Sequence, residues 1–175
     1  MTESVESAED ILKKEWDNLK TSGLLSEIGC SAAPKRIGKI RDYFHWNAIM
    51  RGPKNSPYNG YMFQFEIEFK DNYPNEPPKV TYKPTNFSKI PIYHMNISCN
   101  GDVCVSSIKR DYTNPNWKPA ANISEILLSI FVIFCKPNPK SPYQGELAKI
   151  YNKDPKEYEQ NVKEYCAQNC IKIPE

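Results

Sequence analysis

No stretch of this 175-residue sequence is apolar for long enough to cross a bilayer. The longest, 126–135, is broken by Ser129 and falls well short of the ~20 residues a spanning helix needs. The first ten residues are acidic and polar, so no secretory signal is read there, and a soluble protein of the cytoplasm or nucleus is expected. Charge of one sign is lacking too: 23 Lys and Arg against 21 Asp and Glu leave +2, and no long basic block forms the footprint that nucleic acid requires. Glycine is scarce, seven against fifteen prolines, which favours fixed connections over flexible ones. Repeats and low-complexity segments are absent. The six cysteines are expected as free thiols rather than a disulfide framework, given the compartment. The length suits one domain, 7–175, preceded by a disordered 1–6.

What is there is a helix, a run of strands, a long irregular stretch and more helices. Ser7-Ala8-Glu9-Asp10 has the hydroxyl-to-carboxylate spacing of a capping box. Ile11, Leu12, Trp16 and Leu19 follow at helical spacing, with Lys13, Lys14 and Asp17 facing away. Over 61–70, Phe63, Phe65, Ile67 and Phe69 alternate with Gln64, Glu66, Glu68 and Lys70, the period of a strand with one wet face. Residues 43–50 are expected to pair with it, and 28–33 and 79–83 complete a four-stranded antiparallel meander. Asn122, with Glu125 three residues on, caps a helix whose inner face is Ile123, Ile126, Leu127, Ile130, Phe131 and Phe134. Leu128, Val132 and Ile133 leave it apolar almost all round, as a central buried helix would be. A short helix near 143–151 and another opened by Asp154-Pro155 follow. The class is α+β.

From 83 to 121 the periodicity stops, and a stretch of that length inside a compact domain is usually functional. It holds His94, Asn96, Cys99, an Asn100-Gly101 turn and Cys104. Three chemistries could use them. A metal site has Cys99 and Cys104 with four residues between them and His94 nearby, but lacks a fourth ligand. A Cys–His–Asn hydrolase would draw its members from one loop, whereas such triads usually assemble from distant segments. A thiol that accepts and passes on an acyl group needs an open cysteine and a neutral amide for the oxyanion, and Asn96 suits that task. Losing such a donor typically costs ~10²–10³ in rate. The remaining cysteines, Cys30, Cys99, Cys135, Cys166 and Cys170, read most simply as small, partly buried hydrophobes.

The pattern Tyr93-His94-Met95-Asn96, then Asn100-Gly101, then Cys104 resembles the ubiquitin-conjugating enzymes. So do Phe44-His45-Trp46, Gly52-Pro53 with Ser56-Pro57-Tyr58 and Gly60, Tyr73-Pro74 with Pro77-Pro78-Lys79-Val80, Trp117 with Pro119-Ala120, and Pro137-Asn138-Pro139. The resemblance spans about 7–170. It implies a four-stranded meander backed by the Asn122 helix, with one N-terminal and two C-terminal helices. It also implies that Cys104 accepts ubiquitin as a thioester from an activating enzyme and passes it to a substrate lysine, usually with a ligase. Asn96 would stabilise the oxyanion and His94 would be structural. No metal and no cofactor is expected, because the activating enzyme consumes the ATP. The resemblance leaves room for a different ubiquitin-like modifier, or for a non-catalytic module that binds ubiquitin or a partner enzyme on the same fold.

The resemblance also implies surfaces. Lys13 and Lys14 would meet the activating enzyme, on a face overlapping the ligase site. Pro74, Asn75, Pro119 and Ala120 would meet ligases, and Ser31 would lie on the sheet face that binds ubiquitin non-covalently. Departures from the pattern bear on rate. Met95 replaces the motif proline and gives up its fixed backbone angle. Ser141 stands at a gate position where many members carry an acid that prepares the incoming lysine, and a serine is no carboxylate base. Asn75 replaces a large apolar anchor, which points to a weaker or different ligase set. The segment 106–116 is longer than usual and would shape acceptor choice.

Overall fold

The computed structural model describes residues 6–84, 91–104 and 121–174. Helix α1 (Ala8–Thr21) starts where Ser7 accepts a bond from the Asp10 N–H, and a short α2 (Leu24–Glu27) leads into the sheet. Strands β1 (Cys30–Ile37), β2 (Ile40–Arg51), β3 (Tyr61–Glu68) and β4 (Lys79–Lys83) form the antiparallel meander in chain order. Helices α3 (Ile123–Cys135), α4 (Gly145–Lys153) and α5 (Pro155–Asn169) follow, and a two-residue β5 (Ile171–Lys172) pairs with the start of β3. Asn122 and Asp154 cap α3 and α5 as their spacing predicts. Among the described residues the sheet thus has a fifth strand beyond the expected four, and α2 adds a fifth helix.

The inward residues of β2 and β3 lie opposite each other: Trp46 on Ile67, Ala48 on Phe65, Met50 on Phe63. All six are essentially fully buried. Against them packs α3, through Ile126, Leu127, Ile130, Ile133 and Phe134. Phe134 is the hub, its ring 4.7 Å from Tyr58, 4.9 Å from Phe63 and 4.8 Å from His94. Burying a side chain of this size stabilises the fold by roughly 1.5–3 kcal/mol. The helix is less enclosed than expected. Val132 is 52% exposed, and Ile133 takes the buried place assigned to Phe131, which is half-buried. Its register on the sheet is turned slightly, so the wholly apolar surface did not require burial on every side.

Helix α1 packs against β2. Trp16 meets Trp46 edge-on at 5.7 Å. Glu15 accepts from the Tyr73 hydroxyl at 2.6 Å and from the Ile123 N–H at 2.9 Å. Burial pushes the Glu15 carboxyl up, and the two donors partly offset it. One side chain therefore joins α1, the turn after β3 and the first turn of α3, satisfying a donor that a helix start leaves orphaned.

Candidate active site

The segment 97–104 is a small hairpin laid along β4. Ile97 faces Val103, and Asp102 faces Thr81. The Tyr82 N–H donates to the Gly101 carbonyl at 2.7 Å and the Val103 N–H to the Val80 carbonyl at 3.1 Å. Ser98 organises the turn, its hydroxyl accepting from the Asn100 and Asp102 N–H groups. Gly101 is required twice over. Its φ is +89°, a conformation side chains avoid, and a Cβ there would lie 2.5 Å from the Tyr82 carbonyl oxygen.

This hairpin delivers Cys104 to the loop that carries His94 and Asn96. The Cys104 N–H donates to the Asn96 carbonyl at 2.8 Å, and its Sγ lies 3.8 Å from the Ser141 hydroxyl. Cys104 is 7% exposed. Three of the sequence-predicted residues, Cys104, Asn96 and Ser141, are therefore brought together from two distant segments. Tyr143 borders them. Its hydroxyl is pushed up chiefly by burial, with Cys104 and Asp102 adding to it.

Asn96 is wholly buried. Its Nδ2 donates to the carbonyls of Asn138 at 2.8 Å and Ser141 at 3.1 Å, and its Oδ1 accepts from the Asn138 N–H at 2.8 Å. The amide is a brace between the two loops that flank the thiol. Stabilising an oxyanion requires it to exchange one of those carbonyls for the reacting oxygen.

His94 is sealed between Tyr58 and Phe134 with no exposure. Its Nδ1 accepts from the Asn96 N–H at 3.0 Å, so the proton sits on Nε2, which donates to the Ile133 carbonyl at 3.2 Å. Burial is the main cause that holds its pKa down at about 4. The other histidine, His45, is exposed on β2 and paired with Asp42 at 2.8 Å. Neither imidazole is placed as a base for the thiol, which removes the hydrolase alternative. Among the described residues no group of three His, Cys, Asp or Glu side chains is arranged to hold a metal ion.

Met95 is fully buried where the resemblance has its proline. Its N–H, a group proline lacks, donates to the Tyr158 hydroxyl at 3.3 Å. Its carbonyl accepts from both the Tyr143 and Gln144 N–H groups. The two N–H bonds of the Gln144 amide are shared among three further carbonyls of this loop, those of Ile92, His94 and Ile97. Sequence reasoning missed Tyr158 and Gln144, because neither stands in a motif and both act across the fold.

The remaining expected residues lie on the surface. Lys13 pairs with Glu9 at 2.9 Å and sits 5.7 Å from the Tyr43 ring, while Lys14 pairs with Glu6 at 2.6 Å. Glu6 is thus engaged within the stretch expected to be disordered, whose residues 1–5 lie outside the described ones. Pro74 is half-buried and Asn75 exposed in the turn after β3, which the Tyr73–Glu15 bond ties to the helix bearing Lys13 and Lys14. Ser31 is exposed on β1 opposite Ile49, on the outer face of the sheet. Pro119, Ala120 and the longer segment 106–116 lie outside the described residues. All described cysteines are free thiols. Cys30, Cys166 and Cys170 are buried, but Cys99 and Cys135, expected partly buried, are exposed. Cys99 rides the hairpin turn, and Cys135 ends α3 on its open side.

The fold and the loop geometry agree with the comparison of the whole sequence. The family model described as ubiquitin-conjugating enzyme matches residues 10–166, and the chain belongs to that family.

Proposed function

We propose that this chain carries ubiquitin, or a close relative of it, as a thioester on Cys104 and transfers it to a substrate lysine. The observation that carries the reading is the meeting of Cys104, Asn96 and Ser141 with both histidines committed elsewhere. A thiol beside a hydroxyl, anchored through its own N–H to the residue that carries the neutral amide and with no imidazole base, suits an acyl group that must wait for an amine rather than be lost to water. In the charging step the Cys104 thiolate attacks the modifier's carbonyl carbon. A new C–S bond forms, the C–S bond to the activating enzyme breaks, and that enzyme's thiolate leaves. In discharge, a neutral lysine amine attacks, Cys104 leaves as thiolate, and the amine's proton passes to solvent.

The partners are an activating enzyme, which spends the ATP so that this chain needs no cofactor, a ligase, and a protein substrate. Lys13, Lys14, Pro74 and Asn75 share the neighbourhood of α1 suited to the first two, and Ser31 offers a separate face for free ubiquitin. Among the described residues no helix is long and apolar enough to cross a membrane, and we place the chain in the cytoplasm or nucleus, where its thiols stay reduced. The test is incubation with activating enzyme, ATP and ubiquitin, read on a non-reducing gel. A thiol-sensitive adduct is expected. Its absence with ubiquitin and with other modifiers, each given its own activating enzyme, would leave only the binding-module reading.

Ser141 makes a second outcome measurable. A lysine ammonium, usual pKa ~10.4, must lose its proton before it can attack, and a hydroxyl does little to help. Ser141→Asp is expected to speed discharge of the preformed thioester to free lysine several-fold near pH 7. An unchanged rate would show that position 141 is not a gate in this chain.

A further inference from the structure

We propose that Gln144 is a positioning residue for transfer from Cys104, holding the acceptor loop by hydrogen bonds. The inference rests on the thioester reading. Gln144 occupies the N-cap of α4 but makes no side-chain bond to that helix. Glutamine is not a favoured capping residue; Ser, Thr, Asp and Asn are. A local rule broken without local gain usually marks a side chain used elsewhere.

Here the use is visible. The two N–H bonds of Nε2 are shared among three carbonyls, those of Ile97 at 2.8 Å, Ile92 at 3.1 Å and His94 at 3.2 Å. Its own backbone N–H donates to the Met95 carbonyl at 3.0 Å. One residue thus ties four carbonyls of the loop that holds Asn96, and Asn96 in turn receives the Cys104 N–H. On its far side, Asn96 is braced to Asn138 and Ser141. The loop is fastened to the segment 138–144 at both of its ends, by Asn138 and Ser141 at one and by Gln144 at the other. Met95 leaves the backbone with more freedom than a proline would, so the hydrogen bonds supply a constraint that the covalent ring does not.

Positional error at a reacting group is expensive: a shift of about 1 Å can cost ~10²-fold in rate. The test compares Gln144→Leu, which removes the donors at similar volume, with Gln144→Asn, which keeps the amide but is one methylene too short. Both are charged, and the thioester is discharged to free lysine at rising lysine concentration, with melting curves measured alongside. Both variants are expected to charge to completion. Discharge at saturating lysine should fall about tenfold, with the half-saturating lysine concentration unchanged and melting well above the assay temperature. Gln144→Asn carries the test if Gln144→Leu does not fold. Wild-type discharge in a folded variant overturns the proposal, as does a change confined to the half-saturating concentration. A wild-type chain that never charges overturns the thioester reading instead, which separates the two failures.

Discussion

Cys104→Ala is expected to abolish the thiol-sensitive adduct, while Cys99→Ala is expected to retain it in full. The two thiols are five positions apart, and only one has a constructed setting. Cys104 is fixed by its own N–H on Asn96 and faces Ser141, whereas Cys99 is carried on an exposed turn. Transthiolation needs a thiolate, and burial pushes Cys30 up to about 12 and raises Cys135 as well. Cys166 is raised by its hydrogen bond with Cys170 and then by burial; the same bond lowers Cys170, but that thiol is buried. Cys104→Ser adds a chemical signature, an oxygen ester that survives thiol treatment and forms more slowly. An adduct that persists in Cys104→Ala and vanishes in Cys99→Ala would move the nucleophile to the turn.

The second large effect is on stability rather than rate. His94 is neutral inside the core, with its pKa at about 4 against a usual 6.5. Between those values the unfolded chain binds a proton that the native chain refuses, so stability rises with pH across the window. The contribution is fully present above about pH 6.5 and is lost as the pH falls through 4. At about 1.4 kcal/mol per pKa unit, it amounts to roughly 2 kcal/mol lost by pH 5 and roughly 3 kcal/mol in all. Denaturant unfolding at pH 7 and pH 5 reads it directly. His94→Gln, able to keep an acceptor for Asn96 and a donor for Ile133, should be less stable at pH 7 yet nearly flat down to pH 5. A His94→Gln chain with the wild-type slope would remove the buried imidazole as the cause.

The elements that strong local chemistry specifies were legible from residues alone. Ser7, Asn122 and Asp154 each bond the backbone they were expected to cap, and 79–83 is β4 to the residue. The alternation of Phe63, Phe65 and Ile67 is the inner face of β3. Its outer bound falls short of the expected 70, because past Glu68 the chain turns away while Phe69 stays in the core. The hairpin of β1 and β2 was read too short for a physical reason. Ile37 and Ile40 are 69% and 75% exposed, so apolar residues mark the wet tip, and the register shifts at Pro34, where a ladder donor is missing. Strand β5 has two residues, too few for any period, and α4 begins at Gly145 rather than near 143 because Tyr143 and Gln144 spend their N–H groups on Met95. At the site, Cys104, Asn96 and His94 were reached through the motif. The brace from Asn96 to Asn138 and the fastening by Gln144 link residues more than 40 positions apart and leave no local trace.

The turn at 98–101 has a further consequence, for changes of length rather than of residue. The segment after it runs along β4 with side chains pointing alternately inward and outward: Val103 packs into the core and Cys104 opens toward Ser141. Because that alternation repeats every two residues, deleting or inserting one residue in the turn would exchange the two, seating a thiol in the core and presenting an isopropyl group to Ser141. Such a chain could retain every motif residue and still be inert. The number of residues in the turn belongs to the specification of the proposed nucleophile as much as its sulfur does.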